Sequence, residues 1–265
     1  MIKLINDNAL VALDNLEGNS VDLTVTSPPY DNLRTYNGNN DQWGESVWKS
    51  VIEKLYTVTK EGGVVVWIVG DATIKGSETG TSFKQALWAM ECGFNLHDTM
   101  FYFKKGGLNS GSLKAYQQKV EYMFVFSKGK IATHNLIKDR KNIHTEPRNK
   151  LKKQKDGTYK KQAVVISEYG TRYNLWQYQT GRHHSTSDAE ALTHPAIFPE
   201  QLAHDHIISW SNEGDTVLDC FMGSGTTGKM AKELERSFIG IELDETYFNI
   251  AKDRIESHQI QANLI

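Results

Sequence analysis

A run of alternating residues that ends against two prolines sets the first limit on the fold. Val21-Asp22-Leu23-Thr24-Val25-Thr26 alternates apolar and polar side chains and is rich in β-branched types, the pattern of a buried strand. Pro28 and Pro29 follow one residue later. Proline has no N–H and a fixed φ, so the pair cannot continue a central strand. It builds a stiff corner at the strand's carboxyl end, where open α/β sheets place ligands. The corner offers the Ser27 hydroxyl, carbonyl oxygens with no proline N–H to occupy them, and the Tyr30 ring. A rigid acceptor beside a stacking surface suits a flat heterocycle bearing an amino group. The same letters also spell a strand-ending turn with a half-buried tyrosine, and the rest of the chain has to separate the two.

Around this strand the sequence alternates strands and helices. Residues 2–5 read as a strand and 9–16 as a helix closed by Gly18-Asn19. Trp48, Val51, Ile52, Leu55 and Tyr56 have helical spacing that stops at Glu61-Gly62-Gly63. Residues 64–69 are a continuous apolar run, typical of a parallel strand buried on both faces. A helix carrying Phe83, Leu87 and Met90 ends at Cys92-Gly93, and strands over 95–103 and 120–126 follow as an antiparallel edge hairpin. Residues 31–45 and 104–119 read as loops. Late in the chain a helix starts at Pro199, strands cover 216–221 and 238–241, and helices cover 229–234 and the end. The expected fold class is α/β, a doubly wound, mostly parallel sheet.

Residues 130–187 break this rhythm. From Lys128 to Lys161 twelve Lys/Arg stand against three Asp/Glu, whereas from Glu213 onward five stand against ten. Tyr159, Tyr169, Tyr173, Trp176 and Tyr178 are interleaved with the basic residues. Phosphates call for cations and unstacked bases for rings, so the stretch reads as an inserted nucleic-acid lobe without a predictable regular pattern. A solvated lysine-rich loop is the plainer alternative. Residues 1–129 and 188–265 are then two parts of one domain. Cys92 and Cys220 lie far apart and indicate neither a disulfide nor a cysteine zinc site. With no secretory start and no apolar run of membrane-spanning length, a soluble cytoplasmic protein is expected.

Gly223 to Gly228 spells G-x-G-x-x-G after a strand and opens a helix, and Glu242 ends the next strand 19 residues beyond Gly223. Glycines there let backbone approach a ligand at a helix start, and the carboxylate accepts two ribose hydroxyls. This signal alone suits a nicotinamide dinucleotide and S-adenosylmethionine equally.

Taken together, TSPPY over 26–30, HPAIFP over 194–199 and DCFMGSGTTG over 219–228 resemble the amino-group DNA methyltransferases. Their order, catalytic tetrapeptide first and glycine loop last, resembles the β class, a circular permutation of the Rossmann-like methyltransferase fold. The resemblance implies S-adenosylmethionine as cofactor and transfer of its methyl group to the exocyclic amino group of a base flipped out of double-stranded DNA. It implies a target-recognition role for the 130–187 lobe and allows a cognate restriction endonuclease as a second partner. By position it places catalysis on Ser27, Pro28, Pro29 and Tyr30. It places the cofactor on Asp7 (adenine amino group), on Asp219, Phe221, Gly223, Gly225, Thr226 and Thr227, on Glu242 (ribose), and on His194 and Phe198 in the loop beside the methionine part. Cys220 stands where the family usually has proline. In the family a serine at position 27 goes mostly with N4 of cytosine, and Asp or Asn with N6 of adenine, which leaves N6-adenine as the alternative.

Other chemistries fit less well. Methylation of cytosine C5 needs a nucleophilic cysteine after a proline, and Cys92 follows Glu91 while Cys220 follows Asp219. An NAD-dependent oxidoreductase leaves TSPPY and the basic lobe unexplained, and a silent DNA-binding module leaves the intact site residues unexplained. No metal is expected: His204 and Asp205 are helix neighbours that do not share a face, and His183-His184 suits phosphate contact.

Overall fold

The computed structural model describes residues 1–30, 43–106, 116–146, 148–181, 185–186, 188 and 199–259. The chain begins β1 (Ile2–Asn6), α1 (Ala9–Asp14), β2 (Val21–Thr26), α2 (Glu45–Val58) and β3 (Thr59–Val69). The short pair β4 (Thr73–Ile74) and β5 (Ser77–Glu78) precedes α3 (Thr81–Glu91), β6 (Asn95–Lys105) and β7 (Val120–Ser127). Next come β8 (Arg140–Lys141), β9 (Arg148–Lys153), β10 (Tyr159–Val164), β11 (Tyr169–Gly170) and β12 (Leu175–Gln179). The last elements are α4 (Glu200–Trp210), β13 (Thr216–Asp219), α5 (Thr226–Glu233), β14 (Ser237–Glu242) and α6 (Glu245–Ser257). Among the described residues no helix is long and apolar enough to cross a membrane.

Two compact units result, one of Met1–Asn135 with Asn174–Ile265, the other Leu136–Tyr173. The first holds an eight-stranded sheet in the order β1-β14-β13-β2-β3-β7-β6-β12. Only β7 runs against its neighbours. Crossovers through α1, α2 and α3 step toward the β12 edge, and those through α4 and α5 step toward the β1 edge. Right-handed crossovers then put the two groups of helices on opposite faces. Accordingly α1 packs on α2 and α2 on α3, while α5 packs on both α4 and α6. The chain winds away in both directions from the junction between β2 and β13, a topological switch point.

Several elements depart from the sequence reading. Gly62 and Gly63 do not end a helix. They sit inside β3, where Gly62 takes a φ of 82° and its N–H reaches the Lys128 carbonyl at 2.7 Å, a glycine bulge in a long strand. Helix α3 turns its small and polar side to the core: Ser82, Gln85, Ala86 and Ala89 are buried, whereas Phe83, Leu87 and Met90 are exposed. The buried Gln85 is satisfied because Trp67 Nε1 donates to its Oε1 at 2.9 Å. Trp176 and Tyr178, grouped above with base-stacking rings, belong to β12 and are buried; that strand pairs parallel to β6, one position beyond the β6–β7 hairpin. Pro199 caps α4 rather than opening it.

The second unit is not irregular. It contains two antiparallel pairs, β8 with β11 and β9 with β10. In the β9–β10 ribbon Lys160 lies directly opposite Lys152, and Lys150, Lys152, Lys153, Lys160 and Lys161 are all exposed.

Candidate active site at the carboxyl edge of the sheet

The switch point joins the two motif halves. Val217 and Leu218 of β13 lie opposite Leu23 and Thr24 of β2, so the residues that follow both strands leave the sheet side by side. The buried Thr26 hydroxyl donates to Asp219 Oδ1 at 2.7 Å, across 193 residues of sequence. The same oxygen accepts the Phe221 N–H at 3.1 Å. Burial pushes the Asp219 carboxyl up to about 6, against the hydrogen bonds from Thr26, Thr227 and Phe221 that favour its charged form. Burial likewise pushes the Cys220 thiol up, so the residue that replaces the family's proline is an inert filler. The Thr227 hydroxyl donates to the Val25 carbonyl at 3.4 Å, a second stitch between the halves.

On the β2 side, Pro28 is buried, and Ser27, Pro29 and Tyr30 are half-buried. Ser27 Oγ lies 3.1 Å from Tyr30 Oη. Tyr30 Oη in turn donates toward Glu121 Oε2 at 3.1 Å and the Ile68 carbonyl at 3.4 Å. Asp71, two residues past the end of β3, does not join this group. Its carboxylate takes the Ser82 N–H at 2.9 Å and the Ser82 hydroxyl at 2.5 Å, which fastens the start of α3.

On the other side the glycine turn is held by packing and by Glu242. Gly225 has a φ of 81°, and a methyl group there would lie 2.9 Å from Ala251 Cβ in α6. Gly228 is pressed against Phe238 and Ile255, where a methyl would meet either side chain at 2.5 Å. Thr226 and Thr227 open α5 and are buried. Glu242 Oε2 accepts the Gly223 N–H at 2.8 Å, and Oε1 accepts the Asp244 N–H at 2.9 Å. Burial raises the Glu242 carboxyl above its ordinary range, and among the described residues no Lys or Arg pairs with it. Asp7 follows β1 beside β14: its N–H reaches the Glu242 carbonyl at 3.1 Å and its exposed carboxylate takes the Asn8 N–H at 2.7 Å. The Phe221 ring meets Trp43 edge-on at 5.3 Å and Trp67 at 6.4 Å.

Asp7, Glu242, Asp219 and Ser27 thus form a row along adjacent strand ends, spanning three strand spacings or about 14 Å. Ser27 and Glu242 stand two strands apart and do not touch. His194 and Phe198 lie outside the described residues. Their segment is bracketed by Asp188 and Glu200, which share a cluster with two buried cations. Lys229 Nζ lies 2.9 Å from Asp188 and 3.0 Å from Glu200, and Arg254 lies 3.0 and 3.1 Å from the same two carboxylates. Arg254 also donates to the Ser224 carbonyl, tying the cluster to the glycine turn. Burial works to raise the Asp188 carboxyl, but the hydrogen bonds from Lys229 and Arg254 prevail and hold it below its ordinary range. Sequence reasoning missed this cluster and also missed Glu121. His204 and Asp205 do touch, at 3.2 Å, but the Asp205 carboxylate is taken by Tyr178 and Gln201, each at 2.7 Å.

A switch-point row with a glycine turn, a carboxylate at the end of the next strand and a proline-braced hydroxyl corner has the layout of a nucleotide-cofactor site in an open α/β sheet. Comparison with known proteins makes this particular: the chain belongs to the DNA methylase family of N6/N4 methyltransferases, which it matches over residues 21–253. It is 51% identical over 256 residues to the orphan methyltransferase M.BamHII of Bacillus amyloliquefaciens, covering 93% of each chain. The fold is similar to that of the cytosine-N4-specific PvuII DNA methyltransferase, with a TM-score of 0.67 at 20% identity over 100% of this chain and 88% of that one. It is also similar to M1.HpyAVI in its complex with S-adenosylmethionine, with a TM-score of 0.62 at 23% identity over 96% of this chain and 100% of that one. The protein is a DNA methyltransferase.

Proposed function

We propose that this enzyme methylates N4 of cytosine in double-stranded DNA. The observation that carries the reading is the Ser27 hydroxyl on the Pro28-Pro29 corner, beside Tyr30 and at the switch point. An exocyclic amino nitrogen is a weak nucleophile because its lone pair is delocalised into the ring. Ser27 Oγ and the Pro28 carbonyl accept its two hydrogens and draw it toward a tetrahedral shape. Fixed acceptors of this kind contribute about 3 kcal/mol each to the transition state. Tyr30 stacks on the flipped base, about 1–3 kcal/mol that offsets part of the unstacking cost.

S-adenosylmethionine, when bound, supplies a methyl group on a sulfonium centre. The residues present fit it. Glu242 is a largely buried carboxylate with no Lys or Arg partner among the described residues, fixed by two backbone N–H groups, and ribose hydroxyls would add donors to it. Asp7 would hold the adenine amino group, Asp219, Phe221, Gly223, Gly225, Thr226 and Thr227 would line the turn, and His194 and Phe198 would flank the methionine part.

The Leu136–Tyr173 unit would contact the DNA through the β9–β10 ribbon. Like charges directly opposite in a ribbon repel, and among the described residues no acidic side chain pairs with Lys152 or Lys160. A polyanion relieves that repulsion, and a two-stranded ribbon fits the major groove. Free cysteines suit a cytoplasmic enzyme, and a restriction endonuclease cutting the same unmethylated sequence is the partner this reading allows. Mass spectrometry of nucleosides from DNA treated with the enzyme and cofactor tests the proposal. N4-methylcytosine is expected. N6-methyladenine instead would show that Ser27 does not select the base.

A further inference from the structure

Among the described residues, Tyr30 Oη lies beside Glu121 Oε2 at 3.1 Å, the Ile68 carbonyl at 3.4 Å and Ser27 Oγ at 3.1 Å. A carboxylate and a carbonyl only accept. With the phenolic hydrogen donated toward one of those two, the tyrosine oxygen faces Ser27 as an acceptor. Ser27 then donates its own hydrogen to Tyr30, which leaves its lone pairs for other donors. Lys104 Nζ pairs with Glu121 Oε1, which keeps Oε2 for the tyrosine. The Glu121 side chain is only 12% exposed, so water competes little for that oxygen. A methyl group on Gly70 would lie 3.5 Å from both Glu121 Cγ and the Tyr30 ring, so the three residues already pack at contact distance. Topology explains the meeting. Because β7 alone runs antiparallel, its first residues reach the carboxyl edge where every other strand ends.

We propose that Glu121, held by Lys104, is a positioning residue of the methyl transfer: through Tyr30 it turns the Ser27 hydroxyl so that Ser27 Oγ meets the substrate amino group purely as an acceptor. This rests on the reading of Ser27 as the amino acceptor.

The near-isosteric Glu121→Gln variant tests it. Lys104 would attract the amide oxygen, the amide NH2 would face Tyr30, and the phenolic hydrogen would be released toward Ser27. The expected result is about tenfold slower single-turnover transfer of labelled methyl into DNA that the wild type modifies, the loss of one hydrogen bond in the transition state. DNA and cofactor affinities and the melting temperature should be unchanged. In a Ser27→Ala background Glu121→Gln should cost nothing further, because the relay no longer has an end. Lys104→Met added to Glu121→Gln should restore part of the rate, since the amide is then free to offer its oxygen to Tyr30. Tyr30→Phe keeps the ring, removes the relay and should be equally silent in the Ser27→Ala background. If Glu121→Gln or Tyr30→Phe slows the reaction by the same factor with and without Ser27, or if Lys104→Met worsens Glu121→Gln, the inference is overturned. If Ser27→Ala alone leaves the rate intact while DNA and cofactor bind, the underlying reading of Ser27 fails instead.

Discussion

Asp219→Asn should change how the stability of this protein depends on pH. The Asp219 carboxyl is fully buried, and burial moves it from 3.8 to about 6. Between those values the native state holds a proton that the unfolded chain has released. Unfolding then takes fewer protons into the unfolded state, so stability falls as pH rises. The contribution is fully present below pH 3.8 and is lost as pH passes about 6; the full shift is worth about 3 kcal/mol. Between pH 4.5 and 7.5 about 2 kcal/mol of it appears. Asparagine mimics the protonated acid in shape and still accepts from Thr26 and Phe221 through one oxygen, but it does not titrate. Urea unfolding at constant ionic strength, followed by tryptophan fluorescence, gives the free energy of both proteins across this range. The variant should gain about 2 kcal/mol on the wild type from the acid to the alkaline end. A difference that stays flat within about 0.5 kcal/mol, or slopes the other way, would refute the assignment of a raised carboxyl to this site.

Gly225→Ala places a side chain at φ 81° and 2.9 Å from Ala251 Cβ; overpacking should cost about 1–3 kcal/mol and weaken cofactor binding, read by calorimetry of both. Arg254→Met leaves Asp188 and Glu200 with Lys229 as their shared cation; a loss of about 3 kcal/mol, or roughly 6–12 °C in Tm, is expected by differential scanning fluorimetry. Glu242→Ala should weaken S-adenosylmethionine about 10–100-fold by titration calorimetry, because ribose hydroxyls lose a charged acceptor. Lys152→Ala with Lys160→Ala should lower the slope of log K against log salt for DNA binding by about 2; an unchanged slope would remove the ribbon from the DNA interface.

What could be read from the sequence was local. The period-two strand before Pro28, the apolar run in β3 and the strand–glycine–helix order around Gly223 each announce themselves within a few residues. The acceptor corner and the glycine turn were therefore legible before either was seen to adjoin the other. The failures share a cause, which is that partners decide them. Leu175–Gln179 alternates exposed and buried as a strand should, yet its rings were read with the basic neighbours because nothing local points to β6. Phe83, Leu87 and Met90 have helical spacing, but the sheet accepts the smaller side of α3, where Trp67 meets Gln85. Glu121 looks like a charge at the frayed start of an apolar strand until the direction of β7 is known. The Asp188–Glu200–Lys229–Arg254 cluster joins residues up to 66 positions apart, beyond the reach of any spacing rule.

The strand order has a consequence for how the enzyme is made. The first strand, β1, is hydrogen-bonded to β14 and is separated from β2 by β13 and β14 together. A ribosome that has synthesised everything through β12 has released a chain whose opening strand still has no neighbour in the sheet. At about 5–20 residues per second, the segment that supplies it takes several more seconds to emerge. The two motif halves likewise meet only after β13 has emerged, because Thr26 pairs with Asp219. The sheet of the nascent polypeptide thus closes only when almost all of the described chain has been translated, and Ile2–Asn6 depends on that delayed completion.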